Sequence, residues 1–206
     1  FRCIAMDDPG FGLSEHPENY GYTPKEHASV VRDLVRHLDL KTLEAIEPTG
    51  AILIVPPAVA EKLPETLKGK AVVLGNGETT TQMDIDITAI PMYNLPESAE
   101  SRHPKGRGNG YVLTFGNKKV YVSGDTQGIA EMRGLKNIDV AFVCMNLPYT
   151  MDINEAAQAV LDFKPKVIYP YHYRGQGGLA DTEAFKKMVT DKNKNIDVRL
   201  RNWYAK

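Results

Sequence analysis

The sequence predicts an α/β protein, and three features of the chain indicate this class. Short apolar runs of strand length alternate with helical segments over most of the 206 residues. Two β-rich runs, 111–115 and 118–123, flank Gly116-Asn117 and predict a β-hairpin, because both turn residues tolerate a positive φ. His103 precedes this hairpin and Asp125 follows it, which places two potential metal ligands at its ends.

Composition excludes several classes of partner. A net charge of -1 gives no general electrostatic attraction to nucleic acid or to an anionic membrane. No apolar run approaches the roughly 20 residues of a membrane helix. Cys3 and Cys144 lie in apolar, strand-like runs, so we expect reduced, buried thiols and a cytoplasmic protein.

The first forty residues predict a strand, a loop and an amphipathic helix. The strand 2–6 ends at Pro9-Gly10. Thr23 is the expected N-cap, Pro24 takes the first helical position, and apolar residues then recur at helical spacing to at least Leu38.

The segment RCIAMDDPGFGLSEHPENYGYTPKEHASVVRDLVRHLDL resembles the corresponding unit of α/β-hydrolases, particularly haloalkane dehalogenases, where a D-x-P-G-x-G-x-S turn is typical. In that family a nucleophile elbow follows directly. Here neither G-x-S-x-G nor an elbow aspartate follows, so nucleophilic α/β-hydrolase chemistry is not expected. Ser14 is interpreted as a solvated turn residue.

The remaining chain alternates between strands and helices. Asp152, with Glu155 three residues later, predicts a helix N-terminus. The predicted strands are 51–55, 70–74, 83–90, 140–145, 167–171 and 196–203, and the predicted helices are 57–63, 129–135, 152–163 and 182–189.

Three separated motifs, GNGYVLTFGNKKVYVSGDT, MNLPYTM and KPKVIYPYHYRG, resemble the metallo-β-lactamase superfamily, in particular its small metal-dependent hydrolases. The resemblance covers about residues 39–204. It implies an αββα sandwich with a metal site at one sheet edge. It also implies that His103 is a first-site ligand, Asp125 the bridging and catalytic carboxylate and His172 a second-site ligand, with Asn146 and Tyr149 lining the substrate pocket.

The chain departs from that family in its main ligand motif, H-x-H-x-D-H, which should precede residue 43. Arg32, Leu34 and Arg36 stand at three of its positions, and His37 is the one remaining candidate. We therefore predict a truncated metallo-β-lactamase-like sandwich with a grafted β-loop-α unit. Residues 1–40 would be the α/β-hydrolase fragment and 41–206 the lactamase-like part, merged into one domain of a chimera.

These residues predict at most one divalent ion, zinc or manganese, held by His103, Asp125 and His172. His37 would join them if its helix end lies beside that edge, although a histidine near a helix C-terminus is also favoured by the helix dipole. Asp7, Asp8 and His16 offer another route to the lost ligands. The alternative is that the same side chains only form hydrogen bonds within loops.

Two functions remain open. The first is a metal-dependent hydrolase with weak or no activity, acting on a small ester, lactone or phosphoester. The second is a catalytically silent chimera, natural or engineered. Loss of one sheet would expose an apolar sheet face, so we also expect a homodimer.

Overall fold

A computed structural model describes residues 52–63 and 65–204. The described residues from Ile54 onward belong to one compact unit. At the start of the described part, β1 (Leu53–Val55) pairs with β2 (Ala71–Val73), and the short helices α1 (Pro57–Ala60) and α2 (Glu65–Lys68) connect them. The predicted grafted unit, residues 1–40, lies outside the described residues.

The main sheet is built from β3 (Thr79–Gln82), β4 (Ile85–Met92), β5 (Gly108–Phe115), β6 (Lys118–Val122), β7 (Val140–Cys144), β8 (Val167–Tyr171) and β11 (Asp197–Val198). Within the described residues its order is β11-β8-β7-β6-β5-β4-β3. Strands β3 to β6 are antiparallel, whereas β6, β7, β8 and β11 are parallel. The predicted hairpin is present as β5 and β6, and Gly116 turns it with a φ of 57°.

Three helices, α3 (Ala130–Arg133), α4 (Ile153–Phe163) and α5 (Thr182–Lys192), follow strands of the parallel half. One face of the sheet presents Tyr121 and Ile168, which share a fully buried cluster with Phe163 of α4 and Phe185 of α5. The Tyr121 and Phe163 rings meet edge to face with centroids 5.9 Å apart. Among the helices of the described residues, none combines the length and apolar character needed to cross a bilayer.

Two predicted strands differ in the structure. The run 83–90 was expected to be one strand, but Met83 and Asp84 have φ values of 52° and 63° and turn the chain from β3 into β4. Strand β4 then continues through Pro91, where β3 no longer pairs with it and a missing N–H costs no ladder bond. The last predicted strand, 196–203, pairs only at Asp197–Val198. A short hairpin follows β8, and each of its strands, β9 (Arg174–Gly175) and β10 (Gly178–Leu179), has two residues.

Candidate metal centre

The three candidate ligands lie at one edge of the main sheet, beyond the carboxyl ends of β4, β6 and β8, which run in the same direction. Asp125 follows β6 after Ser123-Gly124, His172 follows β8 directly, and His103 lies in the loop between β4 and β5. Parallel strands bring their carboxyl ends to the same sheet edge, where α/β proteins build their ligand sites. The topology therefore brings residues 22 and 47 positions apart in sequence into one cluster.

Within that cluster, each imidazole faces a different oxygen of the same carboxylate. Nε2 of His103 lies 3.5 Å from Oδ2 of Asp125, and Nε2 of His172 lies 3.5 Å from Oδ1. Exposure is 4% for His103, 3% for Asp125 and 4% for His172. These separations exceed the roughly 2.7–2.9 Å of a charge-assisted hydrogen bond. They are close to the roughly 3.3 Å that separates two ligands of one tetrahedral zinc, given metal–ligand bonds of about 2.0–2.1 Å.

The cluster nevertheless does not form a closed three-ligand site. Within residues 52–63 and 65–204, no group of three His, Cys, Asp or Glu side chains has an arrangement that could hold a metal ion. In the pairs that are present, each imidazole faces a different carboxylate oxygen, which defines two candidate positions for an ion. An ion at either position needs further ligands from outside this set.

Backbone contacts fix the position of His103. Its N–H donates to Oδ1 of Asn94 at 2.9 Å, and its carbonyl accepts from the Asn94 N–H at 2.9 Å. Nδ2 of Asn94 in turn donates to the carbonyl of Tyr149. Burial lowers the pKa of the His103 imidazole, against the opposing effect of Asp125, which favours the protonated ring. The neutral imidazole that results is the form that ligates metals.

A buried polar network holds His172, which has a φ of 46°. Nδ2 of Asn146 lies 2.9 Å from its Nε2, and the same amide nitrogen lies 3.4 Å from the carbonyl of Arg174. Oδ1 of Asn146 accepts from the Thr150 hydroxyl at 2.8 Å. Within the described residues, Nδ1 of His172 has no hydrogen-bond partner. Asn146 and the carboxylate of Asp125 therefore converge on the same ring nitrogen.

The turn that delivers Asp125 depends on a glycine. Gly124 has a φ of 64°, and a Cβ at this position would lie 2.9 Å from both the Asn109 carbonyl oxygen and the Met92 sulfur. Thr126, next to Asp125, is fully buried and receives a hydrogen bond from the backbone N–H of Tyr93. The S-G-D-T sequence thus fixes the carboxylate by both backbone shape and packing.

The structure groups the predicted site residues unevenly. Four of them lie together: His103, Asp125, His172 and Asn146. The carbonyl of Tyr149 is linked to this group through Asn94. The guanidinium of Arg102 lies over the Tyr149 ring, 4.5 Å from its centroid. His37, Asp7, Asp8 and His16 lie outside the described residues. Sequence reasoning missed Asn94 and Thr150, whose roles depend on contacts made across long loops. The sequence pointed towards Thr150 only through its place in the MNLPYTM motif, and it gave no indication of Asn94.

The chain is similar to a known family of proteins. A model of the beta-lactamase superfamily domain matches residues 35–173. The chain belongs to the metallo-β-lactamase superfamily. Within this superfamily it is 30% identical over 158 residues to a UPF0173 metal-dependent hydrolase of Pyrococcus abyssi. The aligned residues make up 74% of this chain and 69% of the relative. It therefore belongs to the UPF0173 family.

Solved structures of the superfamily agree with this assignment. A crystal structure titled putative metal-dependent hydrolase, from Parabacteroides distasonis, is 40% identical with a TM-score of 0.64, over 80% of this chain and 70% of that one. A metallo hydrolase from Ignicoccus hospitalis is 27% identical with a TM-score of 0.62, over 78% and 69%. The expected metallo-β-lactamase-like α/β fold is thereby confirmed.

A separate similarity is confined to a short part of the chain. Haloalkane dehalogenase 2 of Mycobacterium bovis is 43% identical over 77 residues, which is 37% of this chain and 26% of that protein. The similarity is partial and does not establish a graft.

Proposed function

We propose that this chain is a metal-dependent hydrolase whose reaction centre is formed by His103, Asp125 and His172. The supporting observation is that two buried imidazoles converge on the two oxygens of one buried carboxylate. A cation offsets the cost of burying such a carboxylate, and it also gives a facing ring nitrogen a partner. Homologues named metal-dependent hydrolases support the same conclusion.

In this proposal, Asp125 supplies the negative charge that binds the cation, and His103 and His172 supply ring nitrogens on either side. A bound zinc or manganese ion would polarise an ester, lactone or phosphoester and lower the pKa of a coordinated water. Asn146 orients His172, and Tyr149 lines the entrance for a small-molecule substrate. The site is incomplete, with His37 or the group Asp7, Asp8 and His16 as the candidates for its remaining ligands, so we expect weak activity.

Metal content tests this proposal. We expect plasma mass spectrometry to find about one zinc or manganese per chain in the parent, and much less in His103→Ala and His172→Ala. His27→Ala is the matched control, because His27 lies on a polar face of the predicted N-terminal helix and should leave the metal content unchanged. Circular dichroism verifies that each variant is folded. A parent that stays metal-free after incubation with zinc and manganese would overturn the proposal.

The alternative function is a catalytically silent chimera of the two families. The partial similarity to a haloalkane dehalogenase favours it. It predicts that a chelator changes neither the unfolding midpoint nor any hydrolytic rate. A hydrolase predicts instead that dipicolinate abolishes turnover of an ester, lactone or phosphoester panel and that added zinc or manganese restores it.

The proposed assembly is a cytoplasmic homodimer, in which a second copy covers apolar sheet surface. Light scattering at several protein concentrations measures the mass directly. A mass that stays at the monomer value of about 22.9 kDa at high concentration would exclude the dimer.

A further inference from the structure

A cavity of about 300 Å³ lies at the opposite end of β6 from Asp125. Its wall is formed by one face of β4, β5 and β6, and by the segment between α3 and β7 that passes over that face. Thr88 pairs with Val112, and Val112 pairs with Tyr121, so the lining side chains lie on the same sheet face as the main core. The described residues that line it are Thr88, Ile90, Val112, Lys119, Gly134, Leu135, Lys136 and Ile138.

The floor of the cavity is aliphatic. Val112 and Ile138 are buried, whereas Ile90 and Leu135 are only half-buried and keep apolar surface in contact with solvent. The one-turn helix α3 ends at Arg133, and no longer helix follows before β7 begins at Val140. The cavity thus offers apolar area whose burial by a ligand would be favourable.

The rim of the cavity is cationic. Lys119 is half-buried and Lys136 is exposed, and neither ammonium group forms an ion pair with a residue in the described part of the chain. Two acidic groups on neighbouring segments are already engaged. Asp139 accepts from Lys166 Nζ at 2.7 Å and from the Lys119 N–H at 2.9 Å. Asp86, which lies on the same sheet face two strands away, accepts from the Thr81 hydroxyl at 2.6 Å.

We propose that this cavity is a binding site for a free medium-chain carboxylate, with the hydrocarbon chain on the floor of Ile90, Val112, Leu135 and Ile138 and the carboxylate between Lys119 and Lys136. Charge complementarity selects an anion, and the aliphatic floor selects an alkyl chain. A volume of about 300 Å³ lies at the lower end of small-molecule sites, which suits a single chain. The site is remote from His103, Asp125 and His172 and does not depend on any metal.

Octanoate titrated into the 206-residue chain tests this proposal by calorimetry and by methyl NMR. We expect saturable binding of one octanoate, with shift changes at the Ile90, Leu135 and Ile138 methyl groups. Hexanoate should bind about tenfold more weakly, because two buried methylenes are lost. Octan-1-ol, which has the same chain without the charge, should also bind at least tenfold more weakly.

Variants separate the two halves of the site. The double variant Lys119→Gln with Lys136→Gln should weaken octanoate binding at least tenfold and leave octan-1-ol unchanged. The matched control, Lys186→Gln with Lys194→Gln, removes two exposed lysines elsewhere and should bind octanoate as the parent does. Leu135→Trp should block both ligands by filling the cavity. Absence of octanoate binding, equal binding of acid and alcohol, or equal loss in both double variants would each overturn the proposal.

Discussion

Nδ2 of Asn146 lies 2.9 Å from Nε2 of His172, and both side chains are buried. The Thr150 hydroxyl determines which end of the amide faces the imidazole, because it donates to Oδ1 of Asn146 at 2.8 Å and leaves Nδ2 to face His172. Nε2 then accepts from the amide, and the ring proton belongs on Nδ1. A metal at Nε2 therefore has to compete with Asn146 for the same lone pair.

Thr150→Val tests this relationship. The substitution keeps the side-chain shape but removes the donor, so Oδ1 of Asn146 loses a buried hydrogen bond. We expect a loss of about 1–3 kcal/mol in the free energy of unfolding, measured by urea denaturation. We also expect the fixed Nδ1–H tautomer of His172 to be lost, as reported by imidazole ¹⁵N shifts of the metal-free protein.

Thr190→Val is the control for that experiment. Thr190 lies on α5 and donates to a carbonyl of its own helix, so its replacement should change stability by less than about 0.5 kcal/mol. The His172 tautomer should stay the same. A Thr150→Val protein with parental stability and parental ¹⁵N shifts would contradict the orienting role of Thr150.

Asp139 predicts a specific loss of stability in acid. The hydrogen bond from Lys166, with a second from the Lys119 N–H, lowers the pKa of this carboxyl from 3.8 to about 2. A carboxyl whose pKa is lower in the folded state stabilises the protein above its unfolded pKa of about 3.9 and loses that contribution as pH falls towards 2. Asp139→Asn should therefore flatten the decline of the urea midpoint between pH 4.5 and 3.

The exposed residue Asp84, in the turn between β3 and β4, supplies the comparison for Asp139. Asn tolerates the left-handed backbone of this position, so Asp84→Asn should fold normally and keep the parental decline with pH. If Asp139→Asn declines as steeply as Asp84→Asn over this interval, the ion pairs around Asp139 do not determine acid stability.

The sequence predicted the parallel half of the fold well, because its signals there are local. The run 140–145 and the cap at Asp152 appear within one or two residues of their predicted limits. Strand β3 was missed because Thr79–Gln82 carries no apolar alternation and depends on pairing with β4. Polar residues are paired along this strand, such as Thr81 opposite Asp86, so the sequence shows no apolar–polar alternation that would predict a strand.

In the candidate site, too, the features with local sequence signals were predicted and those that depend on long-range contacts were not. The position of His172 at the end of β8 followed from an apolar run and its termination. In the structure, His103 and His172 face different oxygens of Asp125. This arrangement depends on side-chain directions, which cannot be inferred from the spacing of residues in the sequence. Glu155 is a further case: its place three residues after Asp152 predicted the helix N-terminus, but not that its carboxylate accepts from the Gly128 N–H at 2.8 Å.

Cys144 is predicted to be unreactive in the folded protein. Burial raises the pKa of its thiol from 9.0 to about 12, and the nearby charge of Asp125 acts in the same direction. Because the thiolate is the nucleophile, alkylation at pH 8 should be about a thousandfold slower than for an unperturbed thiol. The rate is measured by mass spectrometry in a Cys3→Ser background. Rapid alkylation without denaturant, equal to the rate in urea, would show that Cys144 is accessible.

Asp152 should stabilise α4 through its N-terminus. Its side chain accepts from the Glu155 N–H at 2.7 Å, which satisfies one of the otherwise unpaired donors of the first turn. Asp152→Ala should therefore lower the free energy of unfolding by about 1 kcal/mol, measured by urea denaturation. Gln158→Ala, an exposed change on the same helix, should stay within about 0.5 kcal/mol of the parent. Equal effects of the two substitutions would mean that the cap contributes nothing beyond helix propensity.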